Sequence, residues 1–168
     1  MPNLLYKSEI LSLLQAKNIP FETLEHPAAY TMADLDALGI TQKGTILKNL
    51  FLRDGSGKHH FLVSAPECAD IDLKKLKEQL GSSRLSFAST ERLWEHLRIA
   101  QGSVSPLCLL NEESGTIPMV FDEALRGNAA IGVHPNDNTA MLWLRFEDLC
   151  ALIREHGNPV LLLPFPHH

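Results

Sequence analysis

Few residues in this chain have the type and surroundings to do chemistry. Lys48 lies in Thr45-Ile46-Leu47-Lys48-Asn49-Leu50-Phe51-Leu52-Arg53, where strand alternation places Ile46, Lys48, Leu50 and Leu52 on one face and Asn49 and Phe51 on the other. A lysine among apolar neighbours either snorkels to water at an edge or enters a pocket where an anion meets it. In a pocket, its ammonium would supply a point charge beside a carbonyl or phosphate. The loop Gly102-Ser103-Val104-Ser105-Pro106 sets two hydroxyl residues between a glycine and a proline. Amides of such a turn can face a carbonyl or phosphate oxygen, although most loops of this composition are only turns. His134 leaves the apolar run Ile131-Gly132-Val133 for the polar turn Pro135-Asn136-Asp137-Asn138-Thr139. There an imidazole serves either as a hydrogen-bonded strut or as an acid-base group.

Other chemistries lack their patterns. No His-Glu-x-x-His or Cys-x-x-Cys spacing occurs, and His59-His60 on a strand would face opposite sides, so no metal site is expected. Gly55-Ser56-Gly57-Lys58 lacks the spacing of a phosphate-binding loop, and no Gly-x-Ser-x-Gly elbow is present. Cys68, Cys108 and Cys150 are odd in number and widely separated, which suits reduced thiols in a cytoplasmic protein. Neither Cys68 nor Cys108 has a histidine pattern nearby, which leaves little for a cysteine-dependent hydrolase.

The elements that must carry these residues follow from periodicity and punctuation. Tyr6, Ile10, Leu13 and Leu14 predict a helix over Asn3 to Lys17, stopped at Asn18. Phe21 to Glu25 reads as extended, and Thr31-Met32-Ala33-Asp34 has capping-box spacing for a short helix ending at Gly39. Thr45 to Arg53 and Phe61 to Ala65 flank the Gly55-Ser56-Gly57 turn as a hairpin. Leu73, Leu76 and Leu80 mark a helix begun at Asp70 or Asp72 and closed by Gly81. Leu85 to Ala88 is a strand, and Ser89 or Thr90 caps a helix bearing Leu93, Trp94 and Leu97. Leu107 to Leu110, Ile117 to Phe121 and Ala129 to Val133 are apolar segments. Met141 to Arg145 is a strand, followed by a helix through Phe146, Leu149, Cys150 and Ile153 that stops at Gly157. The Pro159 to His168 tail should pack on the body and end in a frayed His167-His168. Interleaving without a strict alternating unit favours an α+β fold, a mixed sheet with helices on it.

At 168 residues, the chain is expected to form one domain spanning residues 1–168. A hydrophobic share of 45% with 21% charged residues argues against disorder and against a membrane protein. Apolar stretches such as Val160 to Leu163 are too short to cross a bilayer, and the first residues lack a secretory pattern. The 15 Lys and Arg against 20 Asp and Glu leave a net charge of -5, which excludes a broad basic surface for DNA or RNA. A small phosphate-contacting area remains compatible with that balance.

In order along the chain stand Gly44-Thr45-Ile46-Leu47-Lys48-Asn49, Leu85-Ser86-Phe87-Ala88, Gly102 to Leu107, and Gly132-Val133-His134-Pro135-Asn136 with Asn138-Thr139. Together they resemble the YbaK and prolyl-tRNA synthetase-associated editing domain superfamily, above all its free-standing PrdX type, also called ProXp-ala. The resemblance runs from His26-Pro27 and Thr31 through the last helix, and the proline-rich tail matches no motif of it. It implies a mixed, curved, barrel-like sheet flanked by helices, and hydrolysis of the ester on a mischarged tRNA, alanyl-tRNA(Pro) in this branch. It assigns the essential lysine to Lys48, its neighbour to Asn49, the Gly-x-x-x-Pro loop to Gly102, Ser103, Val104, Ser105 and Pro106, and the His-Pro motif to His134 and Pro135. Ile46 would border the amino-acid pocket and Thr31 the substrate. The partner implied is a tRNA acceptor end; association with prolyl-tRNA synthetase stays open. No cofactor, membrane or DNA partner is implied.

In that frame, Lys48 and the loop amides would stabilise charge on the ester carbonyl, Asn49 and His134 would position groups, and water or the terminal ribose hydroxyl would attack. A rival reading is a non-catalytic regulator that binds an amino acid or a charged tRNA end. A metal-free mechanism predicts deacylation that is unchanged by EDTA; loss of turnover that zinc restores would refute it.

Overall fold

The computed structural model describes residues 4–26, 33, 37, 39 and 43–168. Thr31 and Asp34, the expected capping pair, lie outside the described residues. Four α-helices are described: α1 (Lys7–Ala16), α2 (Leu73–Leu80), α3 (Thr90–Leu97) and α4 (Phe146–His156). The strands are β1 (Glu22–Glu25), β2 (Thr45–Arg53), β3 (His60–Pro66), β4 (Ser86–Phe87), β5 (Met119–Asp122), β6 (Ile131–Val133), β7 (Ala140–Leu144) and β8 (Val160–Leu163). They form a mixed sheet in the order β1-β7-β6-β2-β3-β5-β8, with β4 paired to β2 off that path. None of the described helices is long and apolar enough to cross a membrane.

Local sequence explains most boundaries. Asp72 accepts the Lys74 amide at 2.9 Å to start α2, and Ser89 accepts the Arg92 amide at 3.2 Å to start α3. Gly81 and Gly157 close α2 and α4 in the left-handed conformation. The first helix begins four residues later than its periodicity predicts, because tertiary bonds claim the backbone of Leu5. Its N–H donates to Asn111 Oδ1 at 2.6 Å, and its carbonyl accepts from Asn136 Nδ2 at 2.8 Å. The strand expected at Leu85 to Ala88 shortens to Ser86–Phe87, since only Leu52 and Arg53 pair with it.

Both faces of β2 are covered. Leu47 and Phe51 enter the main core with Leu93, Leu107, Leu142 and Leu144. Leu52 packs with Val63, Leu76 and Val120 under α2, while Ile46 joins Met141 and Trp143. Phe121 and Phe146 meet edge to face at 4.9 Å, which ties α4 to the sheet.

The tail is a correction. His167 and His168 do not fray: His167 Nε2 meets Asp122 Oδ2 at 2.6 Å, and His168 N donates to Cys68 O at 2.9 Å. Asp122, 45 residues away in sequence, holds His167, and the turn at Cys68 and Asp70 holds His168.

Gly132 is a steric requirement, because a Cβ there would stand 2.6 Å from the Trp143 ring. Gly132→Ala is expected to cost about 1 to 3 kcal/mol, the usual penalty of overpacking, read from the urea midpoint. An unchanged midpoint would show that the indole can yield.

Candidate active site

The site arises where β2 lacks a neighbour. β3 pairs with β2 from Leu47 to Arg53, but on the other edge β6 reaches only Thr45 and Ile46, and β4 only Leu52 and Arg53. Along the intervening stretch a cleft of about 450 Å³ opens. Main-chain groups of alternate residues point to the same edge. Thr45 N bonds Ala130 O at 3.1 Å and Phe51 O accepts Ala88 N at 2.9 Å, so Asn49, on the same edge and beyond the reach of β6 and β4, directs its main-chain groups into the gap. Leu47 O is partly answered by Asn49 Nδ2 at 3.3 Å.

Lys48 lines this cleft without a carboxylate partner among the described residues. Its ammonium donates to Glu67 O at 3.2 Å and to Ala69 O. Carbonyl dipoles orient an ammonium without cancelling its charge, whereas an ion pair would leave little field for a ligand. Asn49 also lines the cleft, and its Oδ1 accepts from the fully buried Ser64 hydroxyl, its cross-strand partner. One further N–H of the amide remains to serve a ligand.

The Gly102 loop divides by function. Gly102, at φ 95°, and Val104 line the cleft; Ser103, Ser105 and Pro106 do not. Ser103 N donates to Ala100 O at 3.2 Å, and Ser105 N to Cys108 Sγ at 3.3 Å. Among the described residues the amides of Gly102 and Val104 have no acceptor, so the two spare donors belong to the two residues at the cleft. Ser105 Oγ accepts Leu107 N at 3.1 Å, which starts the 3-10 helix Pro106–Asn111.

His134 lines the opposite wall, while Pro135 is buried behind it. His134 Nδ1 lies 3.1 Å from Ala140 O, and since a carbonyl only accepts, the proton sits on Nδ1 and Nε2 is left as an acceptor. Burial holds this imidazole below its ordinary pKa against the opposing Ala140 bond, and His26 adds to the lowering. Ile46 and Met141 complete an apolar wall, with Trp143 packed against both.

Several supporting residues escape sequence reasoning. Cys108 Sγ donates to Asn136 Oδ1 at 3.2 Å, and Asn136 Nδ2 reaches Leu5 O and, at 3.4 Å, Leu107 O. This brace joins the His134 turn to the Gly102 loop. Burial pushes the Cys108 thiol up to about 12, so it stays protonated and acts as a donor, not a nucleophile. Asn136 sits at φ 59°, a left-handed position that asparagine tolerates, and its place after His-Pro was the available signal. Cys68 does have a histidine, His167 Nδ1 at 3.8 Å, but borders neither this cleft nor the one beside His60 and His96. The described residues hold no group of three or more His, Cys, Asp or Glu suited to a metal ion.

Farther along β2, the guanidinium groups of Arg53 and Arg92 converge. Their nitrogens come within 2.9 and 2.8 Å of the point where a Cβ on Gly57 would lie. Both bond main-chain carbonyls, Arg92 also His60 Nε2 at 3.1 Å, and neither has a carboxylate partner among the described residues. Burial first, then His96, Arg92 and Arg53, lower His60 to about 4, so it accepts from Arg92 as the neutral ring.

The chain matches the family model of the aminoacyl-tRNA editing domain over residues 26–152. It is 40% identical over 152 residues to "Prolyl-tRNA editing protein ProX" of Acetoanaerobium sticklandii, covering 90% of this chain and 93% of that protein. A mouse protein, "Prolyl-tRNA synthetase associated domain-containing protein 1", is 32% identical over 163 residues, with 95% and 96% coverage. A crystal structure described as a candidate trans-editing enzyme for prolyl tRNA synthetase superposes with a TM-score of 0.69 at 22% identity, covering 95% of each chain. That likeness establishes the shared mixed-sheet fold.

His60 and His134 both refuse protons that their unfolded counterparts accept at about pH 6.5. Their contribution to stability is complete above that value and is lost as pH falls toward their folded pKa values. The lowered carboxylates act only below about pH 4.5. The urea midpoint is therefore expected to drop between pH 7 and 5, with a shallower drop in His60→Gln; a flat wild-type midpoint would refute this.

Proposed function

Since this chain belongs to the aminoacyl-tRNA editing domain family, and is an aminoacyl-tRNA deacylase, we propose that its substrate is alanyl-tRNA(Pro), hydrolysed in trans at the cleft beside β2. The observation that carries this reading is the convergence on one cleft of an ammonium without a carboxylate partner, Lys48, and two unspent amides, Gly102 and Val104.

An aminoacyl ester is already activated relative to an amide, so the site has to hold the carbonyl and stabilise the oxyanion. The amides of Gly102 and Val104 hold the carbonyl oxygen, and Lys48 supplies the positive charge. Water adds to the carbonyl carbon, and the ester C–O bond then breaks. The departing ribose oxygen takes up a proton, relayed through the neighbouring ribose hydroxyl. Asn49 and His134 position these groups, and the Nε2 acceptor of His134 offers a second route for the proton. Ile46, with Met141 beside it, limits the room for the amino acid. This matters because a synthetase gains only about 1 to 3 kcal/mol per methylene against a smaller side chain, and a separate hydrolytic site supplies the second sieve.

The tRNA partner fits the charge distribution. Arg53 is five residues from Lys48, roughly 17 Å along an extended strand, which places the Arg53 and Arg92 pair within reach of acceptor-strand phosphates while the ester occupies the cleft. Phe87, 63% exposed, also lines the cleft. A net charge of -5 is compatible with a grip this local.

The test is release of amino acid from alanyl-, cysteinyl-, seryl- and prolyl-tRNA(Pro). Alanyl-tRNA(Pro) is expected to be the preferred substrate. Lys48→Ala is expected to lower kcat/KM at least about 100-fold, the scale of one lost oxyanion contact. Full activity in that variant removes Lys48 from the mechanism, and binding without release by the wild type favours the regulator.

A further inference from the structure

The segment after β8 lies beyond the family match, which ends at residue 152, yet it leads back to the reactive lysine. β8 runs parallel to β5, with Leu163 opposite Asp122. The chain then follows the turn after β3. Asp70 N donates to Pro166 O at 2.7 Å, His168 N to Cys68 O at 2.9 Å, and Ala69 and His167 form an antiparallel bridge. His167 fixes this contact from within. Its Nε2 meets Asp122 Oδ2 at 2.6 Å, on a carboxylate 1% exposed whose other oxygen accepts Ala124 N at 3.0 Å. Its Nδ1 faces Cys68 Sγ at 3.8 Å. The same turn presents Glu67 O and Ala69 O to Lys48 Nζ.

We propose that His167 is a positioning residue for Lys48. By clamping the tail onto the turn at residues 66–70, it holds the two carbonyls that fix the ammonium of this cleft-lining lysine. A lysine stem has four rotatable bonds and no fixed direction of its own. Among the described residues, Glu67 O and Ala69 O are the acceptors its ammonium has, so whatever fixes them fixes the charge. Within the turn itself one main-chain bond is formed, Ala69 N to Pro66 O at 3.0 Å; the tail supplies the others. Cys68, His167 and Asp122 have the order of a thiol triad, but Cys68 borders neither the cleft beside Lys48 nor the one beside His60 and His96.

The inference rests on the role given to Lys48 in the proposed reaction, and its test separates the two. In the full chain, His167→Ala and His167→Gln are compared with wild type by acetylation of Lys48, followed by mass spectrometry, and by kcat and KM for alanyl-tRNA(Pro). The glutamine amide can still reach Asp122. His167→Ala is expected to raise the Lys48 labelling rate at least about threefold and lower kcat about tenfold with KM changed less than twofold, while His167→Gln restores both toward wild type. If the alanine variant fails to fold, His167→Asn, whose amide stops short of Asp122, takes its place. Labelling within the wild-type rate overturns the clamp whatever the activity does. A labelling response in a protein that releases amino acid from no tRNA supports the clamp and overturns the deacylase reading.

Discussion

A β-strand edge carries polar groups that must find partners, and among the described residues β2 finds them on one side from Leu47 to Arg53 and on the other only at its ends. Everything functional follows from that gap. It puts Asn49 main-chain groups at the cleft wall and lets the Gly102 loop approach a strand face. It also makes the hairpin partner β3 the only strand paired beside Lys48 among the described residues. A sheet with complete pairing at this point would have no room for a ligand beside the lysine.

The charge at the site is handled economically. Lys48 meets carbonyl dipoles, Arg53 and Arg92 meet carbonyls and a neutral imidazole, and no carboxylate among the described residues quenches them. The acidic groups that give the chain its net charge make their bonds elsewhere. Glu112, for instance, accepts the amides of Ser114 and Gly115 at 2.9 Å, and Asp54 meets His59 at 2.9 Å. An acidic protein can thereby keep individual cations unneutralised.

Rigidity comes from buried polar bonds between segments distant in sequence. Asn136 and Asn111 both clasp Leu5, Cys108 ties the His134 turn to the Gly102 loop, and Asp122 holds the tail through His167. In a buried setting each such bond is costly to leave unmade, so the partners fix one another. The two walls of the cleft are therefore joined through their supports as well as through the sheet.

Strand alternation in Thr45 to Arg53, the caps to within one of two residues at each helix start, and the glycine stops were legible in the sequence, because each depends on residues within a turn or two of one another; the fold chose Asp72 over Asp70 and Ser89 over Thr90. The ordered motifs also announced the editing family and singled out Lys48, Gly102 and His134. Periodicity could not reveal that Leu5 would leave the first helix, that Ser64 stands opposite Asn49, or that Val104 and not Ser103 offers its amide. Nor could it show that His167 is held by Asp122. Those outcomes depend on which neighbour reaches β2 at which residue and on hydrogen bonds between segments up to 131 residues apart. The sequence alone determined which residues have the chemistry; only tertiary pairing decided where their spare donors and charges point, because a polar group is free for function only where no folded partner has already taken it.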